Sequence, residues 1–310
     1  MADRLPSGLR PDEPTAPGFG RESRAAAEEP RLRSVGDAAT AWWRAEGGSC
    51  GWCSLRAATA AGVKHRLSAV AGEDSYAWAI GDGVLAVAVA DGIGTVAGAA
   101  GAAERAAAAA AGAAVASGAR DGVEAANRAA AGGGATTVVV AVVDPRGRVS
   151  AARVGDSTAL VAGPGGRWRE LFEPPDPERP DAVTAALPAT DPRLEEADDH
   201  LGPGEVLVLA SDGLADPWRD GPTTVAPSLA GAVVSRPSPL ELAGLVDFSR
   251  HGCHDDRTAV CVWLPGVGEG VDPGAAQGLH LHDVAPSGDQ TGDEDRQGGE
   301  EPPPHAGADE

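Results

Sequence analysis

Aspartates recur in this chain where apolar runs stop. The run Val84–Ala90 (VLAVAVA) reads as a buried strand and delivers Asp91 and Gly92 at its end. The run Val206–Ala210 does the same for Asp212 and Gly213, one serine later. A carboxylate at the mouth of a buried strand is costly unless a cation, donors or solvent meet it. Two strands ending this way suggest one shared metal centre. Further carboxylates stand at strand or turn ends: Glu73, Asp74, Asp156, Asp216 and Asp255. If several converge, their mutual repulsion raises their pKa values unless cations neutralise them. Oxygen ligands alone, without His or Cys, point to Mg²⁺ or Mn²⁺ rather than zinc. Two such ions about 3.5 to 4 Å apart can share a carboxylate and activate a bridging water toward phosphorus. Any single Asp-Gly pair is more often a turn than a ligand. Their order after strong strands is what favours a site.

The elements between them must gather these residues. Tyr76, Trp78 and Ile80 alternate with alanines, and Gly81-Asp82-Gly83 is a hairpin turn, so Asp74 and Asp91 should share one end of a hairpin. Strands are expected at 55–61, 135–143, 148–154, 159–162, 167–171 and 259–264, joined mostly by tight turns. Residues 99–116 are dense in alanine and predict a helix lying close against a sheet, with a second piece at 123–131. Ser238-Pro239-Leu240-Glu241 is a capping box opening a helix of roughly ten residues, to Ser249 or Arg250. Residues 62–72 read as a loop carrying Lys64, His65 and Arg66, and the proline-rich, charged stretch 173–200 as a surface loop of the kind that forms lids. Hairpin-joined strands with helices in two separate blocks predict an α+β layered domain with mainly antiparallel sheets.

Composition bounds the rest. Residues 1–44 and 266–310 have little to bury and are expected to be disordered, leaving a folded domain at 45–265. The C-terminal segment holds eleven Asp and Glu against the single Arg296, a charge of −10, about half of the formal −21. An acidic chain without a basic stripe is not a nucleic-acid binder. The most membrane-like run, 96–116, carries Glu104 and Arg105, and no signal peptide opens the chain, so a cytoplasmic protein is expected. Four cysteines stand at 50, 53, 253 and 261. Cys50-Gly-Trp-Cys53 has the spacing of a redox motif or half a zinc knuckle. It lacks a second CxxC and a following βαβ unit, so ordinary partly buried thiols are expected.

Taken together, Gly72-Glu73-Asp74-Ser75, Val89-Ala90-Asp91-Gly92-Ile93-Gly94, Gly134-Ala135-Thr136-Thr137, Val154-Gly155-Asp156-Ser157, Ala210-Ser211-Asp212-Gly213-Leu214-Ala215-Asp216 and Asp255-Asp256-Arg257-Thr258 resemble, in order, the motifs of the metal-dependent protein phosphatases of the 2C class. The resemblance covers roughly residues 50 to 265. It implies a four-layer αββα sandwich (α+β) with two Mn²⁺ or Mg²⁺ ions between the sheets, hydrolysing phosphoserine and phosphothreonine in proteins. By motif, Asp91 would bridge both metals and Gly92 offer its carbonyl. Asp74 through water, Asp212 and Asp255 would complete the pair, Asp156 and Asp216 would match a third-metal position, and Glu73 would stand behind the ligands.

The departures are specific. The family's Asp-Gly-Met-Gly-Gly is Asp91-Gly-Ile-Gly94-Thr95 here, and Asp256 takes the place of an asparagine. The usual phosphate-binding arginine is replaced by Ala69, whereas Gly62-Val-Lys-His65 is similar to the Gly-x-x-His opening of a divergent bacterial branch. His65 or Arg66 would then meet the phosphate, and a plain basic surface loop explains the trio equally well. The resemblance implies phosphoprotein substrates and a Ser/Thr kinase counterpart. Two alternatives stand beside it: a phosphatase of a phosphorylated sigma-factor antagonist, and a catalytically weak phosphoprotein-binding module that keeps the sandwich.

Overall fold

Apolar strands with one face toward a second sheet and the other toward helices force a layered solution, and the computed structural model has that form. It describes residues 32–33, 42–81, 83–94, 96–174, 185–219, 225–248 and 253–265. The chain runs β1 (Leu32–Arg33), β2 (Trp43–Cys50), β3 (Cys53–Ala60), α1 (Val63–Leu67), β4 (Ser75–Gly81) and β5 (Val84–Ala90). It continues with α2 (Ala99–Ser117), α3 (Ala119–Ala130), β6 (Val138–Val143), β7 (Arg148–Val154), β8 (Thr158–Gly163), β9 (Arg167–Glu170) and β10 (Glu195–His200). It closes with β11 (Val206–Ala210), α4 (Asp212–Arg219), α5 (Val225–Val234), α6 (Pro239–Val246) and β12 (Arg257–Trp263).

Two antiparallel sheets result, ordered β1-β2-β3-β12-β11-β8-β9 and β10-β7-β6-β5-β4. Their facing sides form one core, in which Val87, Val89, Val139 and Ala151 of the smaller sheet meet Leu55, Val161, Leu209 and Val260 of the larger. On the outer side of the smaller sheet, small residues of α2 and α3 (Ala103, Ala107, Ala110, Val123) lie on Ala86, Ala88 and Val140. This is the close approach that an alanine-dense helix permits. On the outer side of the larger sheet, Leu214, Trp218, Leu229 and Leu242 of α4 to α6 cover Ala58, Leu160, Val208 and Cys261. The layers are therefore α, β, β, α, as the resemblance implies. Among the described residues no helix is long and apolar enough to cross a membrane.

The β4–β5 hairpin has the expected register, with Ser75 opposite Ala90 and Gly81 opposite Val84, so Asp74 and Asp91 emerge side by side. The capping box is formed: Glu241 N donates to Ser238 Oγ, and Ser238 N donates to Glu241 Oε2. The described helix ends at Val246, and Ser249 and Arg250 lie outside the described residues, as do Asp82, Thr95 and nearly all of the two expected tails.

Several expectations need correction. The first long strand is Trp43–Cys50, not 55–61; its glycines and single charges hide it, and it pairs along its whole length with β3. The stretch 62–72 contains a short helix. Asp212 opens a helix, α4, and α5 follows where no element was expected. The charged stretch 173–200 is not loop throughout: Glu195–His200 is an edge strand on β7. Its acids are held from outside the strand, Glu195 by Arg153, Glu196 by Arg120 and Asp199 by Arg169. Residues 175–184, where a lid was expected, lie outside the described residues.

Candidate metal centre

The carboxylates gather at one end of the two-sheet core because three strands finish and one begins there. β5 delivers Asp91, β7 delivers Asp156, β11 delivers Asp212, and β4 begins just after Asp74. Asp91, Asp156 and Asp212 each offer an oxygen within 4.8 Å of the others. The ligand core expected from the resemblance and the cluster that the fold assembles share Asp91 and Asp212; the cluster adds Asp156.

Hydroxyls and backbone groups fix these side chains. Thr136 Oγ1 and Thr137 N donate to the Asp91 carbonyl at 2.7 and 2.8 Å. Thr137 and Ser157 share a hydroxyl hydrogen bond of 2.8 Å, which ties the Asp91 turn to the Asp156 turn. Ser211 Oγ and Thr258 Oγ1 both donate to Asp74 Oδ2 at 2.7 Å. Backbone crowding explains two glycines. A Cβ at Gly92 would come 2.8 Å from the Glu73 carbonyl, and one at Gly213 would come 2.0 Å from that of Asp256. No other residue lets these turns stack so closely.

The electrostatics are those of crowded, largely desolvated carboxylates. Burial, then the charges of Asp74 and Asp212, pushes the Asp91 carboxyl well above its usual range. Burial, with the charge of Asp256, does the same to Asp74 against the two hydroxyl bonds that favour its ionised form. Asp212 is pushed up to about 7, first by burial. Asp74 Oδ1 and Asp212 Oδ1 are buried without a hydrogen-bond partner. An orphaned carboxylate oxygen is expensive in a finished fold and is what a hard divalent ion satisfies. The residues therefore fit one or more Mg²⁺ or Mn²⁺ ions.

The other expected site residues fall around this cluster. Asp255 is exposed beside it, and its charge acts on Asp212 and Glu73. Asp216 is exposed and paired with Arg219 at 2.7 Å, while the same guanidinium holds Glu170 at 2.6 Å. Glu73 is half-buried, and burial raises its carboxyl above the ordinary value. Of the two candidate phosphate contacts, Arg66 is turned away to Asp247 at 2.5 Å. His65 places Nδ1 2.8 Å from Asp256 Oδ1 and Nε2 3.6 Å from Glu73 Oε2.

Asp256 is the residue whose part the sequence did not reveal. It is 3% exposed and accepts from Gly62 N at 2.6 Å, His65 Nδ1 at 2.8 Å and Glu73 N at 2.5 Å. An asparagine has one oxygen and could not serve all three donors as well. Ser211 and Thr258 also belong to the site through their bonds to Asp74; their only signal in the sequence is standing next to Asp212 and within Asp-Asp-Arg-Thr.

The family model of protein phosphatase 2C matches residues 61–233. Among solved structures, RsbX in complex with magnesium is similar at 15% identity and TM-score 0.52, over 71% of this chain and 100% of that one. A structure from the bacterial stressosome is 22% identical with TM-score 0.52, over 68% of this chain and 99% of that one. The photosystem II phosphatase PBCP is 17% identical with TM-score 0.50, over 68% and 98%. No curated protein matches the chain in sequence. At these identities the structural likeness bears on the fold.

Proposed function

The chain belongs to the protein phosphatase 2C family, and from that membership we propose that it is a metal-dependent phosphatase acting on phosphoserine and phosphothreonine in proteins. The observation that carries the reading is the half-buried Asp91–Asp156–Asp212 cluster beside the partnerless oxygen of Asp74. When bound there, two Mg²⁺ or Mn²⁺ ions supply the Lewis acidity that makes water a nucleophile toward phosphorus.

The chain's own residues do the rest. Asp91, Asp212 and, through water, Asp74 would hold the ions, Asp74 kept in place by Ser211 and Thr258. Asp255 and the Gly92 carbonyl would complete the set, Asp156 and Asp216 would provide the third position, and Glu73 would back the ligands. Between the two candidate phosphate contacts, the geometry favours His65. Arg66 is already engaged by Asp247, whereas Asp256 orients the His65 ring and leaves Nε2 on the side of the carboxylate cluster. Substrates are phosphorylated proteins, and a Ser/Thr kinase is the implied counterpart. The domain is assigned to 45–265, with β1 and the first residues of β2 lying ahead of that boundary, in a cytoplasmic protein.

The test is hydrolysis of p-nitrophenyl phosphate and of a phosphothreonine peptide with Mn²⁺ or Mg²⁺, with chelator, and with Asp91→Asn. Activity that needs the ion and vanishes in Asp91→Asn is expected. Hydrolysis surviving in Asp91→Asn, or none by wild type with either ion, overturns the reading. His65→Ala should raise KM in the same assay and Arg66→Ala should not.

A further inference from the structure

The Cys50–Cys53 pair plays no part in phosphate chemistry, yet its geometry is not that of two ordinary core thiols. The two residues flank the two-residue turn of the β2–β3 hairpin and stand directly opposite each other in its register. Direct partners on antiparallel strands have Cα atoms about 4.5 to 5.5 Å apart and side chains on the same face. That lies inside the span of roughly 4.4 to 6.8 Å that a disulfide bridges. The turn sits at the opposite end of β3 from Thr59, whose hydroxyl meets Thr258 in the carboxylate site. Six residues of strand, about 20 Å, separate the two places.

The two sulfurs are also differentiated. Cys50 is half-buried, whereas Cys53 is 4% exposed at the edge of the inter-sheet core. A hydrogen bond from the Cys53 thiol brings Cys50 down to about 7, and the same contact, together with burial, pushes Cys53 up. Cys261, fully buried, is raised to about 12 by burial. An accessible thiol next to a second thiol able to resolve it is the arrangement of oxidant-responsive cysteines.

We propose that Cys50 and Cys53 form a reversible dithiol–disulfide pair oxidised by hydroperoxides. The Cys50 thiolate attacks one peroxide oxygen, the O–O bond breaks, and Cys50 becomes a sulfenic acid as water or an alcohol leaves. The Cys53 sulfur then attacks the Cys50 sulfur; the S–O bond breaks, and the hydroxyl leaves as water with the Cys53 proton. Two thiols and one hydrogen peroxide thus give one disulfide and two waters, both electrons passing from sulfur to the peroxide. A thiol reductant reverses the change.

The full chain treated with hydrogen peroxide, alkylated and digested with trypsin tests this, because cleavage after Arg44 and Arg56 leaves both cysteines on the peptide 45–56. The expected result is that peptide unalkylated and lighter by two hydrogens, restored by dithiothreitol. Cys50→Ser should abolish it, Cys53→Ser should leave a sulfenic acid at Cys50 that dimedone captures, and Cys253→Ser should change nothing. If Cys53→Ser does not fold, Cys50→Ser with the wild type decides alone. Cys50 and Cys53 both still alkylatable after peroxide, oxygen retained on Cys50 of the wild type, or a bridge to Cys253 or to a second chain would each overturn the proposal.

Discussion

Asp256 Oδ1 lies 2.8 Å from His65 Nδ1 while its other oxygen holds the backbone of Glu73, so one buried carboxylate fixes both the imidazole and the residue preceding Asp74. Burial works against the imidazolium. The hydrogen bond and charge of Asp256, with the charges of Glu73 and Asp255, outweigh it and raise His65 above its ordinary value. A raised imidazole adds stability that is whole below its unfolded pKa and fades as pH climbs through the folded one. Asp256→Asn should therefore lower the His65 pKa, read by proton NMR, and flatten this slope. Leaving one buried donor facing an amide should cost about 1 to 3 kcal/mol in urea unfolding. An unchanged His65 titration would show that Asp256 does not orient the ring.

How far such relationships can be read from sequence depends on where the partners sit. The β4–β5 hairpin is legible because alternation and a Gly-Asp-Gly turn are local signals, and they suffice to bring Asp74 beside Asp91. The strand carrying Asp212 is equally plain, since an unbroken apolar run fits only a two-sided core, and the one carrying Asp156 is legible from the Asp-Pro-Arg-Gly turn that sends the chain back along its neighbour. Glu195–His200 is hidden because its strand character depends on arginines of α3, β7 and β9 that neutralise its edge. Asp256 is hidden for a similar reason: its donors lie more than 180 residues away in sequence, and no local pattern announces them.

The carboxylate cluster predicts an inverted pH response of the metal-free protein. Asp74, Asp91 and Asp212 have folded values above their unfolded ones, so the folded state binds the extra protons. Stability from these groups then falls as pH rises from about 4 toward and past 7. Chelated protein should melt lower at pH 8 than at pH 5.5, and millimolar Mn²⁺ or Mg²⁺ should raise the pH 8 value by several degrees while releasing protons. Asp91→Asn should melt higher than chelated wild type at pH 8 and lose most of the ion-induced shift. A chelated wild type that is more stable at pH 8 would contradict the repulsion that the cluster implies.

Ser211 Oγ gives one of the two hydroxyl bonds that hold Asp74 Oδ2, and it also accepts from Thr258 N at 3.0 Å. Ser211→Ala removes both contacts without touching a carboxylate. Outer partners of metal ligands typically matter by about 10- to 100-fold in affinity or activity. The variant should need about that much more Mn²⁺ for half-maximal activity, with kcat at saturating ion largely recovered. Equal ion dependence in variant and wild type would mean that Asp74 is not a ligand.

Far from the site, Arg169 of β9 joins the edges of the two sheets. Its guanidinium meets Asp199 of β10 at 2.9 Å and Glu205, just before β11, at 2.6 Å. In Glu205 the arginine bond leads, and in Asp199 it overcomes burial; both carboxyls are held below their usual range. Depressed carboxyls contribute stability above their unfolded pKa and lose it as pH falls through the folded one. Arg169→Ala should therefore cost about 1 kcal/mol at pH 7, a modest figure because the group is partly exposed and screened by solvent. The loss should shrink steadily between about pH 5 and pH 3, as the freed acids titrate at ordinary values. Added salt should narrow the gap at pH 7 as well. A penalty independent of pH and salt would mean that Arg169 acts through the packing of its aliphatic stem rather than through the two carboxylates.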